Sequence, residues 1–110
     1  MPPAPADYLQ GTLELLVLKT LASGPKHGYA VARWLEQATE RALVVEEGSL
    51  YPALYRMERR GWVEAEWGMS ELGRRAKVYR LTDAGRRRLA EGTRAWQAFS
   101  ATVGRLLEPA

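Results

Sequence analysis

At 110 residues, 46% of them hydrophobic and 26% charged, the chain has the size and composition of one ordinary globular domain, large enough for a core yet small enough to gain from a partner. The absence of cysteine excludes disulfides and thiolate chemistry, and no apolar run approaches the ~20 residues that a membrane-spanning helix needs. The net charge of +3 is unevenly placed: eight basic and two acidic residues lie between Arg74 and Arg94, against seven basic and ten acidic in residues 1–73. A basic segment on a near-neutral chain points to a localised anionic partner, although Arg86 to Arg88 alone read as a solvated helix face.

Residues 1–8 begin Met1-Pro2-Pro3-Ala4-Pro5-Ala6 and lack the basic start and apolar stretch of a signal peptide, so they are expected to form a flexible arm. Together with the missing cysteines this fits a cytoplasmic protein. A first helix is predicted over about Gly11 to Ala22. Leu13, Leu15, Leu16, Val17, Leu18 and Leu21 make it apolar nearly all round, so one flank must be covered from outside its own domain. Leu13, Leu16 and Val17 are the expected interface residues. Ser23-Gly24-Pro25 ends this helix, and a second starts near His27, carrying Tyr29, Val31, Ala32, Trp34 and Leu35. From Thr39 to Glu46 the chain reads as a connector, with Leu43-Val44-Val45 expected as a third strand of a small sheet.

The most informative segment is Glu47-Gly48-Ser49-Leu50-Tyr51-Pro52-Ala53-Leu54-Tyr55-Arg56-Met57-Glu58-Arg59-Arg60-Gly61. Leu50, Leu54 and Met57 recur at helical spacing and predict one buried side, while Gly48, Ser49, Pro52, Tyr55 and Arg59 point the other way. Pro52 sets the helix start within a few residues before it, and Gly61 closes the helix behind two arginines. Next, Val63, Ala65 and Trp67 alternate on one face of a strand. A turn-rich stretch from Gly68 to Gly73 leads into a second run, Arg74 to Leu81, in which Tyr79 and Leu81 share a face. The final helix starts at Thr82, a sound N-cap, with Asp83 in its first turn. Leu89, Gly92, Trp96, Phe99, Val103 and Leu106 are spaced 3, 4, 3, 4 and 3 residues apart, a heptad seam that needs a second helix to bury it. The simplest supplier is another copy of the chain, although folding back on its own domain would serve the same end.

Helix, hairpin and basic wing, in that order, form a winged helix-turn-helix. Leu9-Gln10-Gly11-Thr12-Leu13, His27-Gly28-Tyr29, Glu47 to Leu54 and Arg74 to Thr82 resemble, in order and spacing, the pattern of PadR-family transcriptional regulators. The likeness covers nearly everything from Leu9 onward. Two positions depart from it: Val78 stands where the family usually has the first of two adjacent aromatics, and Ala76 where a basic residue or proline is common. Both affect the wing. The resemblance implies a mainly α fold with a small antiparallel β wing and a long C-terminal helix, forming a homodimer. Residues 9–82 would be the DNA-binding domain and residues 83–110 the dimerisation helix.

The expected role is sequence-specific binding to double-stranded DNA at a two-fold-related operator, with repression as the outcome. Ser49, Tyr51, Tyr55 and Arg56 are the candidates for the major groove, Tyr51 having packing under the wing as its alternative. Arg74, Arg75 and Lys77 are assigned to phosphate. Lys26, His27 and Tyr29 surround the start of the second helix, which in the family lies against the DNA backbone; His27 could instead pack or cap. Short family members that this chain resembles include regulators that bind flat aromatic compounds between paired tryptophans at the position of Trp96. Gly92, one turn earlier, is expected to leave a vacancy beside that indole, the alternative being a dry interface. A winged-helix module that docks proteins without reading DNA is the competing function. An enzyme is not expected: His27 is the sole histidine, Glu46-Glu47 and Glu64/Glu66 suit capping and solvation better than catalysis, and no phosphate-cradling loop, metal site or cofactor site is discernible.

Overall fold

The computed structural model describes residues 12–69 and 72–109. Among them run α1 (Leu13–Leu21), β1 (Lys26–His27), α2 (Gly28–Ala38), α3 (Glu47–Arg59), β2 (Val63–Met69), β3 (Arg75–Leu81) and α4 (Asp83–Leu107). This is a mainly helical winged helix-turn-helix with a small antiparallel sheet and a long C-terminal helix. The expected arm, the proposed helix start at Gly11 and two residues of the wing turn, Ser70 and Glu71, lie outside the described residues.

Helices α1, α2 and α3 enclose the core. Val17, Leu18, Leu21, Val31, Leu50, Leu54 and Met57 are each at most 2% exposed, and each such side chain contributes about 1.5–3 kcal/mol by leaving water. Leu50, Leu54 and Met57 line the inner side of α3 as their spacing predicts. Pro52 sits on the exposed side, where water can satisfy the Gly48 carbonyl that the missing N–H leaves without its helical partner. At the other end Gly61 takes φ +77°. Its N–H donates to the Glu58 carbonyl and that of Trp62 to the Met57 carbonyl, both at 3.0 Å, a Schellman closure that turns the chain into β2.

The sheet order is β1-β3-β2. Lys26 and His27 pair with Tyr79 and Val78, and Val63 through Met69 pair in register with Leu81 through Arg75. The third strand is therefore β1, which corrects the expectation that Leu43-Val44-Val45 supplies it. After α2, Glu40 and Arg41 both adopt positive φ (51° and 68°), and the Leu43 N–H donates to the Thr39 hydroxyl at 3.1 Å. That tight turn sends Val45 into the core as a plug, and the available edge of β3 is already occupied by β1.

Helix α4 is clamped at its start. The Thr82 hydroxyl accepts from the Gly85 N–H at 3.0 Å and donates to the Gly61 carbonyl at 2.6 Å, while the Thr82 N–H donates to the Trp62 carbonyl at 3.2 Å. Further along, α4 lies on α1 of the same chain. A Cβ at Gly92 would stand 2.8 Å from Leu15 Cδ1, so the space beside Trp96 that the sequence leaves at Gly92 is filled by Leu15. The expected vacancy is thus corrected: the missing side chain admits α1. Leu13 and Val17, expected at the interface, are 6% and 0% exposed in the single chain and pack in its own core. Leu16 and Leu89 are half-buried against that core. Beyond Gly92 the seam emerges, with Trp96 47%, Phe99 68% and Leu106 82% exposed and Val103 half-buried. No helix among the described residues is long and apolar enough to cross a membrane.

Candidate nucleic-acid interface

Gly48, Pro52, Tyr55 and Arg59 form the outward stripe of α3, all exposed. The Arg59 guanidinium lies 5.7 Å from the Tyr55 ring centroid, so the stripe ends in a cation held over an aromatic. Ser49 is exposed but turned toward one flank, and Arg56 shares that flank. There Arg56 Nε is 3.6 Å from Glu14 Oε1 of α1, and Arg60 Nη1 donates to both Glu14 carboxylate oxygens at 3.1 and 3.3 Å. Arg56 is thereby tied to α1, and the arginine on the outward stripe is Arg59. Sequence reasoning placed Arg59 on that face without selecting it for DNA contact. Its signal was the 4-3-4 recurrence Gly48, Pro52, Tyr55, Arg59.

Tyr51 is 41% exposed and lies across the start of α2, its ring so close to Gly28 that a Cβ there would meet Tyr51 Cε1 at 2.6 Å. Burial, then the neighbouring Glu47 and Tyr29, push the Tyr51 phenol above its ordinary pKa. Burial, Glu58 and Tyr51 do the same for Tyr79. Both stay protonated donors at neutral pH. Tyr29 stacks on His27 with ring centroids 5.8 Å apart and planes 10° from parallel. His27 is half-buried at the N-cap of α2, and its Nδ1 has no hydrogen-bond partner. Lys26, expected near phosphate, lies at the end of α1. Its ammonium donates to the Ser23 hydroxyl at 2.7 Å and to the Thr20 and Gly24 carbonyls at 3.3 Å, capping the C-terminal end of α1. In the DNA-free chain the Lys26 ammonium thus caps α1.

On the wing, Val63, Ala65, Trp67 and Met69 share one face with their cross-strand partners Leu81, Tyr79, Lys77 and Arg75. The inner half of this face is core. Its outer half is not: Trp67 is 56% exposed and carries Arg75 at 4.7 Å and Lys77 at 5.7 Å from its ring centroid. Lys77 Nζ also reaches Glu58 Oε1 of α3 at 3.6 Å, which ties the wing to the end of the helix. Arg74 and Arg75 are exposed at the wing turn. An exposed helix–wing ion pair therefore links the wing cations to the end of α3.

A second feature lies along the Ser49–Arg56 flank of α3, and Gly48 and Pro52 of the outward stripe border it too. Helices α1, α3 and α4 border a cleft of about 820 Å³, with Leu15, Ser49, Arg56, Gly92 and Trp96 among its walls. Arg56 on α3 and Trp96 on the exposed seam face the same space.

The family model described as "Transcriptional regulator PadR-like family" matches residues 17–91. A transcriptional regulator of Mycobacterium tuberculosis is 34% identical over 98 residues, which span 88% of this chain and 87% of that protein. Among solved structures, a PadR-like transcriptional regulator from Bacillus cereus is 33% identical with a TM-score of 0.79, over 94% of this chain and 99% of that one. A transcriptional regulator from Clostridium thermocellum, 24% identical, has a TM-score of 0.85 over 93% of this chain and 99% of its own, a likeness of fold.

Proposed function

Because the chain belongs to the PadR-like family of transcriptional regulators, we propose that it binds a two-fold-related DNA operator as a homodimer and represses transcription until a small planar aromatic effector releases it. The observation that carries this reading is the exposed stripe Gly48, Pro52, Tyr55 and Arg59 on α3, flanked by a wing bearing Arg74, Arg75 and Lys77. Small residues near the helix start allow close approach to base edges, and Tyr55 with Arg59 supplies the donors that read them. Residues 9–82 act as the reading head and 83–110 as the dimerisation helix, and the protein works in the cytoplasm, where its DNA lies. With two copies related by a two-fold axis, the half-sites fall about one helical turn, or a small multiple of it, apart.

The test separates positioning from reading. Arg74→Ala or Arg75→Ala is expected to weaken binding to specific and random duplexes alike and to reduce the salt slope by about one for each phosphate that is no longer neutralised. Tyr55→Ala and Arg59→Ala are expected to change which sequences are preferred. Lys26→Ala should act through stability, and Arg56→Ala less on sequence choice than Arg59→Ala. Identical effects of wing and helix substitutions on both kinds of duplex would overturn the division of roles. Salt-insensitive binding to a protein, with none to DNA, would make this a docking module.

Effector binding rests on Trp96, whose indole stands partly free at the cleft and on the seam. A flat molecule held between two such rings gains about 0.5–1.5 kcal/mol per stacked pair beyond its buried area. It regulates only if it binds the operator-competent and incompetent dimers unequally. Titration with flat dyes and phenolic acids is expected to quench tryptophan fluorescence in the wild type and not in Trp96→Ala, in which Trp34, Trp62 and Trp67 remain as internal controls. Quenching that survives the substitution would leave Trp96 as plain interface.

A further inference from the structure

Glu14 stands in the first turn of α1, yet both of its cationic partners belong to α3 and its C-cap. Arg60, the C-cap, donates from Nη1 to both carboxylate oxygens at 3.1 and 3.3 Å. Its guanidinium carbon also lies 5.2 Å from the Trp62 ring centroid. Held from two sides, Arg60 fixes the carboxylate in place. Arg56 is the looser partner: its Nε stands 3.6 Å from Glu14 Oε1, and it pairs with no other acid among the described residues. Three charges joined in this way resist exchange better than an isolated surface pair. The Glu58 carboxylate, by contrast, meets only Lys77 among the described cations.

Arg56 follows Pro52 by one helical turn and Ser49 by two, and it lines a cleft that Glu14, Gly48, Ser49 and Pro52 also border. Its guanidinium is thus beside the outward stripe of α3 but turned back toward α1 by a carboxylate. We infer that Glu14 is a positioning residue that holds Arg56 off the phosphate backbone, so that the grip of α3 on any duplex depends on where α1 lies. The inference rests on the DNA-binding reading of α3 and adds to it a restraint supplied by another helix. An arginine beside a groove gains affinity from every sequence, because the phosphates are the same in all of them. While Glu14 holds Arg56 that gain is withheld. Helix α1 also packs on α4 where Leu15, the residue after Glu14, meets Gly92, so the restraint joins the seam helix to α3.

The experiment measures the affinity of the full chain for two duplexes over a range of salt concentrations. One duplex is selected by wild type from a random library, and the other is its scrambled counterpart. The proteins are wild type, Glu14→Gln, and Glu14→Gln combined with either Arg56→Ala or Arg60→Ala. Glu14→Gln keeps the shape of the side chain and removes its charge. It is expected to tighten both duplexes alike, by roughly fivefold or more at about 0.1 M salt, and to steepen the salt slope by about one, as one added phosphate contact requires. Adding Arg56→Ala should abolish both changes, and adding Arg60→Ala should leave them, because the arginine released is Arg56. Unchanged affinity and slope in Glu14→Gln overturn the inference. So does a gain that survives Arg56→Ala, which would mark simple repulsion between Glu14 and DNA. A Glu14→Gln protein that melts lower and binds both duplexes more weakly shows a merely structural glutamate and overturns it as well. A wild type that selects no duplex and binds none would instead sink the DNA reading itself, and the inference with it.

Discussion

Replacing Phe99 and Leu106 by glutamate is expected to turn the dimer into a monomer and to lower operator affinity by roughly 10²–10⁴, the advantage that a second linked reading head provides. These two side chains are 68% and 82% exposed in the single chain, with Leu107 at 74% beside them. A contiguous apolar strip of this kind on a small domain marks an interaction surface. Four such side chains, two per copy, contribute roughly 6–12 kcal/mol when fully buried at about 1.5–3 kcal/mol each, of the order that separates a stable dimer from dissociated chains. A glutamate in the seam replaces that gain with the cost of desolvating a carboxylate. Leu89 is the wrong residue to change, because it is half-buried against the core of its own chain. The double variant should keep its helical circular dichroism while its mass, measured by light scattering, halves. A variant that stays dimeric at micromolar concentration would remove α4 from the interface.

The parts of the fold that were legible in the sequence are those decided locally. Thr82 reads as an N-cap and is one, since the Gly85 N–H it accepts from is three residues away. Gly61 reads as a helix stop because only a few residue types take the positive φ that the closure needs. The inner face of α3 follows from spacing alone. What sequence reasoning missed was set by contacts between residues far apart in the chain. Strand β1 is two residues long and exists because β3 runs past it, so it has no periodicity to find.

The site residues divide in the same way. By sequence, Lys26 and Lys77 read as available to phosphate and Arg56 to the major groove. Each is engaged by a carbonyl or a carboxylate: Lys26 at the end of α1, Arg56 by Glu14, and Lys77 by Glu58. A spacing rule counts a cation without showing whether a neighbouring acid already holds it. Such exposed pairs are weak, typically below about 1 kcal/mol, so Lys77 can exchange Glu58 for phosphate at little cost. Gly92 shows the opposite error. Its missing side chain suggested room for a ligand, but a hole in one helix is equally an invitation to the neighbouring one, and Leu15 takes it.

Gly85→Ala is expected to destabilise the protein by about 1–3 kcal/mol, the usual cost of forcing an extra methyl group into a closed site, even though alanine is the better helix former by about 1 kcal/mol. Gly85 is buried in the first turn of α4, and a Cβ there would collide with the Trp62 carbonyl oxygen and come within 3.1 Å of Leu81 Cδ2. The Trp62 carbonyl cannot swing aside, because it accepts the Thr82 N–H at 3.2 Å and sits in the turn that the Thr82 hydroxyl grips through Gly61 at 2.6 Å. Relief must come from moving α4 as a body. For a domain of this size each kcal/mol lowers the melting temperature by roughly 4–8 °C. Gly104→Ala, in the same helix, meets nothing within 4 Å and is the control: there propensity acts alone and the variant should gain up to about 1 kcal/mol. The two substitutions, identical in chemistry, should therefore move stability in opposite directions when melted at one fixed concentration. Because the clamp joins the end of α3 to the start of α4, which the proposed function makes the reading and dimerisation helices, displacing α4 should also change the separation of the two reading heads. Gly85→Ala should accordingly weaken binding to a full operator more than to a single half-site. A Gly85→Ala protein as stable as wild type would mean that the junction between α3 and α4 yields easily and is no rigid strut between reading and dimerisation.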